Sequence, residues 1–231
     1  MDRREFVDRV KDYLKLWDLP GLNERAEKIY LFYDLLAVWN KKVNLTNITS
    51  PIEFIKKHVI DSAYLLKLLP GPSEKRVSLM DIGSGAGLPG IILSILRDNI
   101  AVTGVESVSK KCLFQRTASR ELSLANFKCL NLNIYSYSGD FASFSGIVSR
   151  AAFSFKDLLK LIDFLPPENL PPLYFFMSDR EIQKQVELPV GISSHSFKNK
   201  RLYIDRILFY KTDYTGEKPF RMIVKFVPDA K

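Results

Sequence analysis

The chain has 231 residues, 46% of them hydrophobic, a formal net charge of +8 and a pI near 9.3. That is enough apolar side chain for one sizeable α/β domain, alone or with a small extension. Two cysteines exclude a disulfide framework, and neither has zinc-site spacing. The basic excess suits a polyanionic partner such as nucleic acid, although general solubility charge would give the same total. Residues 197–231 hold nine lysines and arginines against four acids, and the rest of the excess is scattered in small clusters such as Lys110-Lys111. The first residues lack the apolar core of a secretion signal, and no run approaches the ~18 apolar residues of a membrane span. The expectation is a soluble, reduced, cytoplasmic protein.

In chain order, Phe6, Val10, Tyr13, Leu14 and Trp17 recur at helical spacing until Pro20-Gly21 breaks the pattern. A second helix is predicted from about Asn23 to Asn40. Ser50-Pro51-Ile52-Glu53 reads as a capping box with proline in the first helical position. That helical region runs to about Leu69, where Pro70-Gly71-Pro72 ends it. Residues 1–70 are thus expected to form a helical extension and residues 71–231 an α/β domain.

Alternation begins with the segment Ser78 to Gly90, a buried strand that ends in an acid and turns through a glycine-rich loop into an apolar helix. Glycines permit positive φ and close backbone approach, and a helix N-terminus offers free N–H groups. Two cofactor readings compete. Gly85-Ala86-Gly87-Leu88-Pro89-Gly90 satisfies the dinucleotide fingerprint G-x-G-x-x-G, with Glu106 about 20 residues on. Asp81-Ile82-Gly83-Ser84-Gly85-Ala86-Gly87 is the D-x-G-x-G-x-G of S-adenosylmethionine (SAM) methyltransferases. The second frame is preferred, because the strand ends just before Gly83 and the dinucleotide frame starts two residues late. Asp81 also stands where a carboxylate would accept from the cationic amine of SAM and repel a pyrophosphate.

Strands are predicted at 77–82, 100–105, 127–132, 146–149 and 173–177, with helices at about 88–97, 109–123, 154–164 and 179–186. That alternation implies a mostly parallel, Rossmann-like sheet with helices on both faces. Leu202–Tyr210 and Arg221–Val227 are joined by a polar loop containing Gly216 and read as a terminal antiparallel hairpin. A parallel sheet closed by such a hairpin is the class I methyltransferase pattern.

Candidate site residues lie after the strands, where open α/β sheets bind ligands. Asp81, Gly83, Gly85, Gly87 and Leu88 form the loop. Glu106 follows the second strand, placed for ribose hydroxyls, and Ser107 or Ser109 is a plausible cap for the helix after it. Ile134 and Tyr135 follow the third strand and would face the adenine. Arg150 follows the fourth and would clamp an RNA phosphate or the SAM carboxylate, unless it is a structural ion pair. Cys112 and Cys129 read as helix and strand interior. With no [DN]-P-P-[YF] run after the fourth strand and no cysteine near it, the inventory suits a nucleophile that needs no activation, such as guanine N7. Phe153 and Phe155 are the nearest aromatic rings for a cationic product base, with core packing their alternative.

Further segments carry a resemblance: Trp39-Asn40 with Asn44-Leu45-Thr46, then His58-Val59-Ile60-Asp61-Ser62, then the glycine loop, then Ser149-Arg150-Ala151. The chain resembles the bacterial ribosomal RNA small subunit methyltransferase G family, also called glucose-inhibited division protein B. The likeness is good over roughly residues 30–155 and weak in the C-terminal third. It implies a class I fold, SAM as methyl donor, and methylation of a guanine N7 in the 530 loop of 16S rRNA; a monomer is expected. It further implies that Gly83, Leu88, Ile134, Tyr135 and Arg150 line the SAM site. His58 and Asp61 would reach the cofactor loop or pack the helix, and Lys110 and Lys111 would meet RNA. Two departures stand out. Phe144-Ser145-Gly146 replaces the family's Phe-Asp, and Phe176-Met177-Ser178-Asp179 replaces its Ala-Leu-Lys-Gly. If that lysine contacts RNA phosphate, this protein binds RNA differently or more weakly. A non-catalytic RNA-binding homologue and a dinucleotide-dependent oxidoreductase are the rival functions.

Overall fold

Continuous apolar runs, rather than alternating ones, mark strands buried on both faces, and the five runs from Val77 onward pair as a parallel sheet. They are β1 (Val77–Ile82), β2 (Ile100–Glu106), β3 (Phe127–Asn131), β4 (Gly146–Arg150) and β5 (Leu173–Ser178). Three more follow, β6 (Ser194–Phe197), β7 (Lys200–Tyr210) and β8 (Arg221–Pro228), each antiparallel to its neighbours. The order across the sheet is β3-β2-β1-β4-β5-β8-β7-β6. This is the class I methyltransferase arrangement, with the reversed strand β8 inserted beside β5. The structure is a computed structural model and describes residues 1–73, 75–150, 155–166, 170–178, 194–197, 200–210 and 221–228.

Six longer helical runs accompany the strands among the described residues, besides short 3-10 turns at Lys15–Trp17, Ile134–Ser136 and Phe141–Ser143. Two precede the sheet, α1 (Arg3–Leu14) and α2 (Leu22–Asn40). A third run, here α3, is composite: an α turn at Pro51–Phe54, a π segment at Ile55–Ile60, an α turn at Asp61–Tyr64 and a 3-10 turn at Leu65–Lys67. Then come α4 (Gly90–Leu96), α5 (Ser109–Glu121) and α6 (Phe155–Phe164). The predicted helix at 179–186 and the Gly216 loop lie outside the described residues.

Strand side chains alternate between two apolar layers. Leu79, Val102, Val148, Tyr174 and Ile223 point into a layer that also holds Phe6, Phe32, Phe54, Ile91 and Phe114. Met80, Ile82, Val105, Ile147 and Phe175 point the other way, against Ile134, Phe141, Leu161 and Leu165. The helical lead-in therefore shares one continuous core with the sheet. Phe54 is its centre, with rings of Phe6, Phe32, Tyr33 and His58 within 5.1 to 6.3 Å of its own. Arg25 of α2 adds a polar clasp, donating to Pro20 O at 2.7 Å and to Asp98 Oδ2 at 2.8 Å. Asn126, in the turn before β3, donates its amide to Ile100 O at 2.8 Å and Ser94 O at 3.0 Å.

Four local expectations change. Ser50 is the N-cap of α3 and Pro51 opens the helix, but the Ser50 hydroxyl makes no capping bond, and Glu53 turns to Lys57 Nζ at 2.6 Å. An ion pair one turn on takes the carboxylate that a capping box needs. Neither Ser107 nor Ser109 caps α5. Val108 is its N-cap, and Ser109 Oγ donates to Asn131 Oδ1 at 2.8 Å. Helix α4 begins at Gly90, two residues after the predicted start, because Leu88 and Pro89 belong to the loop. Strand β6 was not foreseen. Four residues are too few for a period to declare itself.

Phe54→Ala removes a fully buried ring between the lead-in and the sheet. It should cost about 3–5 kcal/mol in urea unfolding. A loss below about 1 kcal/mol would show that the lead-in contributes little to the common core.

Candidate cofactor and methyl-transfer site

Strand β1 runs through the sheet centre and delivers Asp81 to its carboxyl end, beside the point where strand order reverses between β1 and β4. The chain then crosses onto β2: Gly83 N–H and Ser84 N–H both donate to Val105 O, at 2.9 and 3.3 Å. Gly83, Gly85 and Gly87 all have positive φ, +69°, +57° and +78°. The glycines differ in what they face. A Cβ on Gly85 would meet nothing closer than Gly83 O at 3.8 Å, so it would project into open cavity. A Cβ on Gly87 would strike Ile91 Cδ1. Gly85 leaves room for a ligand, whereas Gly87 leaves room for α4.

Side chains from two elements staple this loop. Glu106, at the end of β2 and only 6% exposed, accepts from Gly85 N–H at 2.9 Å and Val108 N–H at 2.8 Å. An ionised carboxylate has about four lone-pair sites, so capacity remains for hydroxyl donors. Gln115, fully buried on α5, donates to Gly85 O at 2.8 Å and accepts from Ser84 Oγ at 3.0 Å. Gln115 was not singled out from sequence. Its signal was present: a polar residue among Cys112, Phe114 and Ala118, on the buried side of a helix.

The loop, β2 and the segment after β3 enclose a cavity of about 490 Å³, within the usual range for small-molecule sites. Of the predicted residues, Gly83, Gly85, Leu88, Glu106, Ile134, Tyr135, Arg150, His58 and Lys111 line it. Asp81, Gly87, Asp61 and Lys110 do not. Thr46, Leu45, Ser84, Ser107, Leu132 and Asn133 line it as well; Leu45, Thr46 and Ser84 stand in the sequence motifs, and Ser107 was read as a helix cap rather than a lining residue. Phe153 and the side chain of Phe155 lie outside the described residues.

Asp81 sits under the loop, fully buried. Its Oδ2 accepts from Gly90 N–H at 3.0 Å, capping α4 from below, and its Oδ1 has no hydrogen-bond partner among the described residues. Burial pushes its pKa up to about 7, with the Glu106 charge adding to the rise and the Gly90 bond and Arg150 opposing it. Among the described residues no cluster of three or more His, Cys, Asp or Glu side chains is placed to hold a metal ion.

Two of the lining residues, His58 and Arg150, belong to a buried polar cluster drawn from four distant segments. Asp61 is wholly buried. Its Oδ2 accepts from Arg150 Nη1 at 3.1 Å, and its Oδ1 accepts from Tyr210 Oη at 2.7 Å and Arg221 Nη1 at 3.0 Å. Arg150 also donates to Lys57 O at 3.2 Å and contacts His58 Nδ1 at 3.0 Å. Burial, followed by the Arg150 charge, drives the His58 pKa down to about 2, so the ring is neutral. Burial and Asp61 push the Tyr210 phenol up, so it remains a donor. His58 lies in the π segment of α3, and such widened turns concentrate at functional sites. The three-residue step from His58 to Asp61 sets both side chains against Arg150.

The sequence comparisons fall in line with this geometry. The family model for rRNA small subunit methyltransferase G (GidB) matches residues 25–175. The chain belongs to the rRNA small subunit methyltransferase G family. Among curated relatives bearing that name, one from Francisella philomiragia is 33% identical over 201 residues, spanning 87% of this chain and 95% of its own. Another from Azoarcus is 38% identical over 186 residues, spanning 80% and 85%. Solved structures are more distant. The PH0226 protein of Pyrococcus horikoshii has a TM-score of 0.50 at 11% identity, over 83% of this chain and 99% of that one. TYW2 of the same organism, solved in complex with MeSAdo, has a TM-score of 0.50 at 11% identity, over 78% and 63%. At such identities the likeness speaks for the fold alone. The family match runs from within α2 into β5, so it takes in every residue that lines the cavity but not Tyr210 or Arg221.

A buried carboxyl whose folded pKa exceeds its unfolded value of 3.8 binds a proton the unfolded chain has lost, so it costs stability as pH rises from about 4 to about 7. Asp81→Asn keeps an acceptor for Gly90 N–H and does not titrate. Its stability advantage over the wild type should grow across that interval, to a few kcal/mol, and stay level above pH 7. His58 acts oppositely, with stability full above 6.5 and lost at lower pH, but equally in both proteins, so it cancels. Urea unfolding at pH 5, 6, 7 and 8 measures the difference; a pH-independent one would refute the assignment.

Proposed function

We propose that this protein transfers a methyl group from SAM to N7 of a guanine in the 530 loop of 16S rRNA, acting as a cytoplasmic monomer. The observation that carries the cofactor assignment is the cavity over Gly83–Gly85, with the Glu106 carboxylate at its floor. Three features fit SAM. The open approach at Gly85 admits a ligand against backbone. Glu106 retains lone pairs for ribose hydroxyls. The buried Asp81 carboxylate sets a negative potential under the turn, where a cationic amine is favoured. Leu88 and Ile134 supply apolar walls for a base.

The dinucleotide reading fails on one bond. A pyrophosphate in such folds takes the N–H groups at the helix N-terminus. Here the first of them, Gly90 N–H, is already held by Asp81, and a second anion would face that carboxylate.

When bound, SAM supplies an electrophilic methyl. The chain's own residues then have to place the base. Guanine N7 offers a lone pair and no proton, so the step needs in-line geometry and no general base. His58 matches that demand, since both of its ring nitrogens are engaged, by Arg150 and Thr46. Arg150 lies 10% exposed at the edge of the cavity, held by Asp61, and carries fixed positive charge to the end where an RNA phosphate would arrive. Lys111 adds a second cation on the wall. A structured loop of RNA must open or flip its base to reach this depth. The place of the family's lysine is taken by Ser178, which pairs with Arg221 across β5 and β8; Asp179 lies outside the described residues. Arg221 brings a cation from the neighbouring strand, although its guanidinium is tied to Asp61.

Methyl-labelled SAM and small subunits from cells lacking this enzyme test the reading, with label mapped by nuclease digestion and mass spectrometry. N7-methylguanine in the 530 loop is the expected product. SAM binding without label would favour the non-catalytic RNA-binding reading.

Gly85→Val should abolish SAM binding in a folded protein, because its branched Cβ fills the open approach and strains a positive φ. Unchanged affinity by calorimetry would move the site elsewhere.

A further inference from the structure

Three side chains in the cavity wall stand in a line. Arg150 Nη2 is 3.0 Å from His58 Nδ1, and His58 Nε2 is 3.2 Å from Thr46 Oγ1. Chemistry fixes the direction of every bond along it. A guanidinium only donates, so Nδ1 accepts and carries no proton. The neutral ring then bears its single proton on Nε2, aimed at Thr46. Thr46 Oγ1 also accepts from Ile48 N–H at 3.1 Å. A hydroxyl has two acceptor lone pairs and one hydrogen. With both lone pairs taken, only the O–H is left.

The backbone of Thr46 is fixed as firmly as its side chain. Asn40 Oδ1 accepts from Leu45 N–H at 2.8 Å and Thr46 N–H at 3.0 Å, and Asn40 Nδ2 donates to Thr46 O at 2.8 Å. Thr46 lines the cavity together with His58 and Arg150, the residue that ends β4. With ribose contacts assigned to Glu106 at the end of β2, the groups gathered at the end of β4 are left for the incoming base.

We propose that Thr46 selects the target base: its hydroxyl, confined to donating, holds O6 of guanine beside the reacting N7 and turns adenine away. This rests on the guanine-N7 reading above. Guanine presents two acceptors on that edge, N7 and O6, whereas adenine presents N7 and an amino donor. An ordinary threonine rotates to suit either base. A threonine whose lone pairs are occupied meets an adenine amino group donor to donor, and a buried donor without an acceptor is costly. His58 and Arg150 act through Thr46 as positioning residues.

The test uses the full-length protein and small subunits reconstituted with guanine, inosine or 2-aminopurine at the target position. Inosine keeps O6 and 2-aminopurine lacks it. The wild type should methylate inosine within a few-fold of guanine and 2-aminopurine about ten- to a hundredfold more slowly. Thr46→Val should lose about the same factor on guanine, and its penalty for 2-aminopurine should shrink by at least tenfold. Thr46→Ser should restore the wild-type discrimination, and SAM affinity should be equal in all three proteins. Wild-type enzyme that methylates 2-aminopurine as fast as inosine would overturn the proposal without any variant. Penalties for Thr46→Val and 2-aminopurine that multiply in full would overturn it too. So would a Thr46→Val defect confined to SAM affinity, which would give the hydroxyl to the cofactor. No N7 product from the wild type on guanine would remove the underlying reading itself.

Discussion

The site depends on one fully buried carboxylate. Asp61 has no exposure to water, and removing a charge from water costs several kcal/mol unless partners replace the lost hydration. Three donors replace it: Arg150 from the end of β4, Tyr210 from the end of β7 and Arg221 from the start of β8. None is near Asp61 in sequence. The carboxylate thereby requires that the helical lead-in, the parallel half of the sheet and the terminal hairpin come together at one point. A buried pair like this is weak evidence for stability, because apolar residues of the same size would serve as well. Its value lies in register. Only one alignment of β8 along β5 brings Arg221 to Asp61, and only that alignment orients Arg150, then His58, then Thr46.

The glycine loop runs on a similar logic with the opposite sign. Asp81 is buried with one oxygen unpartnered, an arrangement that costs stability above pH 7 and would be relieved by a neutral isostere. Natural cores seldom leave such an atom without a reason. If the turn binds the cationic SAM as proposed, the cost becomes binding energy when the ligand arrives. The loop that covers Asp81 is otherwise over-determined, with Glu106 and Gln115 holding Gly85 from both sides. Strain and unpaired charge are tolerated where surrounding bonds leave the chain no alternative.

Most of the architecture was legible because its signals are local and repetitive. Five apolar runs separated by helical spacing fix a parallel sheet, and the Asp81–Gly90 segment marks the strand whose end binds ligand. The errors share a cause. Ser50 and Glu53 form a valid capping pattern, yet Lys57 one turn later competes for Glu53. Asp81 reads as a cavity residue because its position in the motif is right, but pairing with Gly90 turns it beneath the loop. Thr46 could be recognised as part of a motif without its bonds being visible, because they run to His58 and through it to Arg150, twelve and about a hundred residues away. Gln115 was readable in principle as a polar intruder on an apolar helix face. What sequence periodicity conveys is which face of an element is buried. It does not convey which polar atom on that face finds which partner.

On the proposed guanine-N7 reading, catalysis moves no proton and places its whole demand on position, and that would give the polar cluster its purpose. An enzyme with a general base can leave a histidine nitrogen open. This one closes both, converting His58 from a proton acceptor into a fixed link between a cation and a hydroxyl. Basic charge then brings RNA to the mouth without having to reach into it. Steering by surface lysines and arginines depends on salt and tolerates loss of individual contacts. Placement inside the cavity would tolerate far less, since on the same reading an ångström of drift at Thr46 or Arg150 misaligns the attacking lone pair. The division explains why the interior polar groups are tied to partners from every part of the chain, while the outer charge is scattered: the interior must be in one place, and the exterior need only be positive.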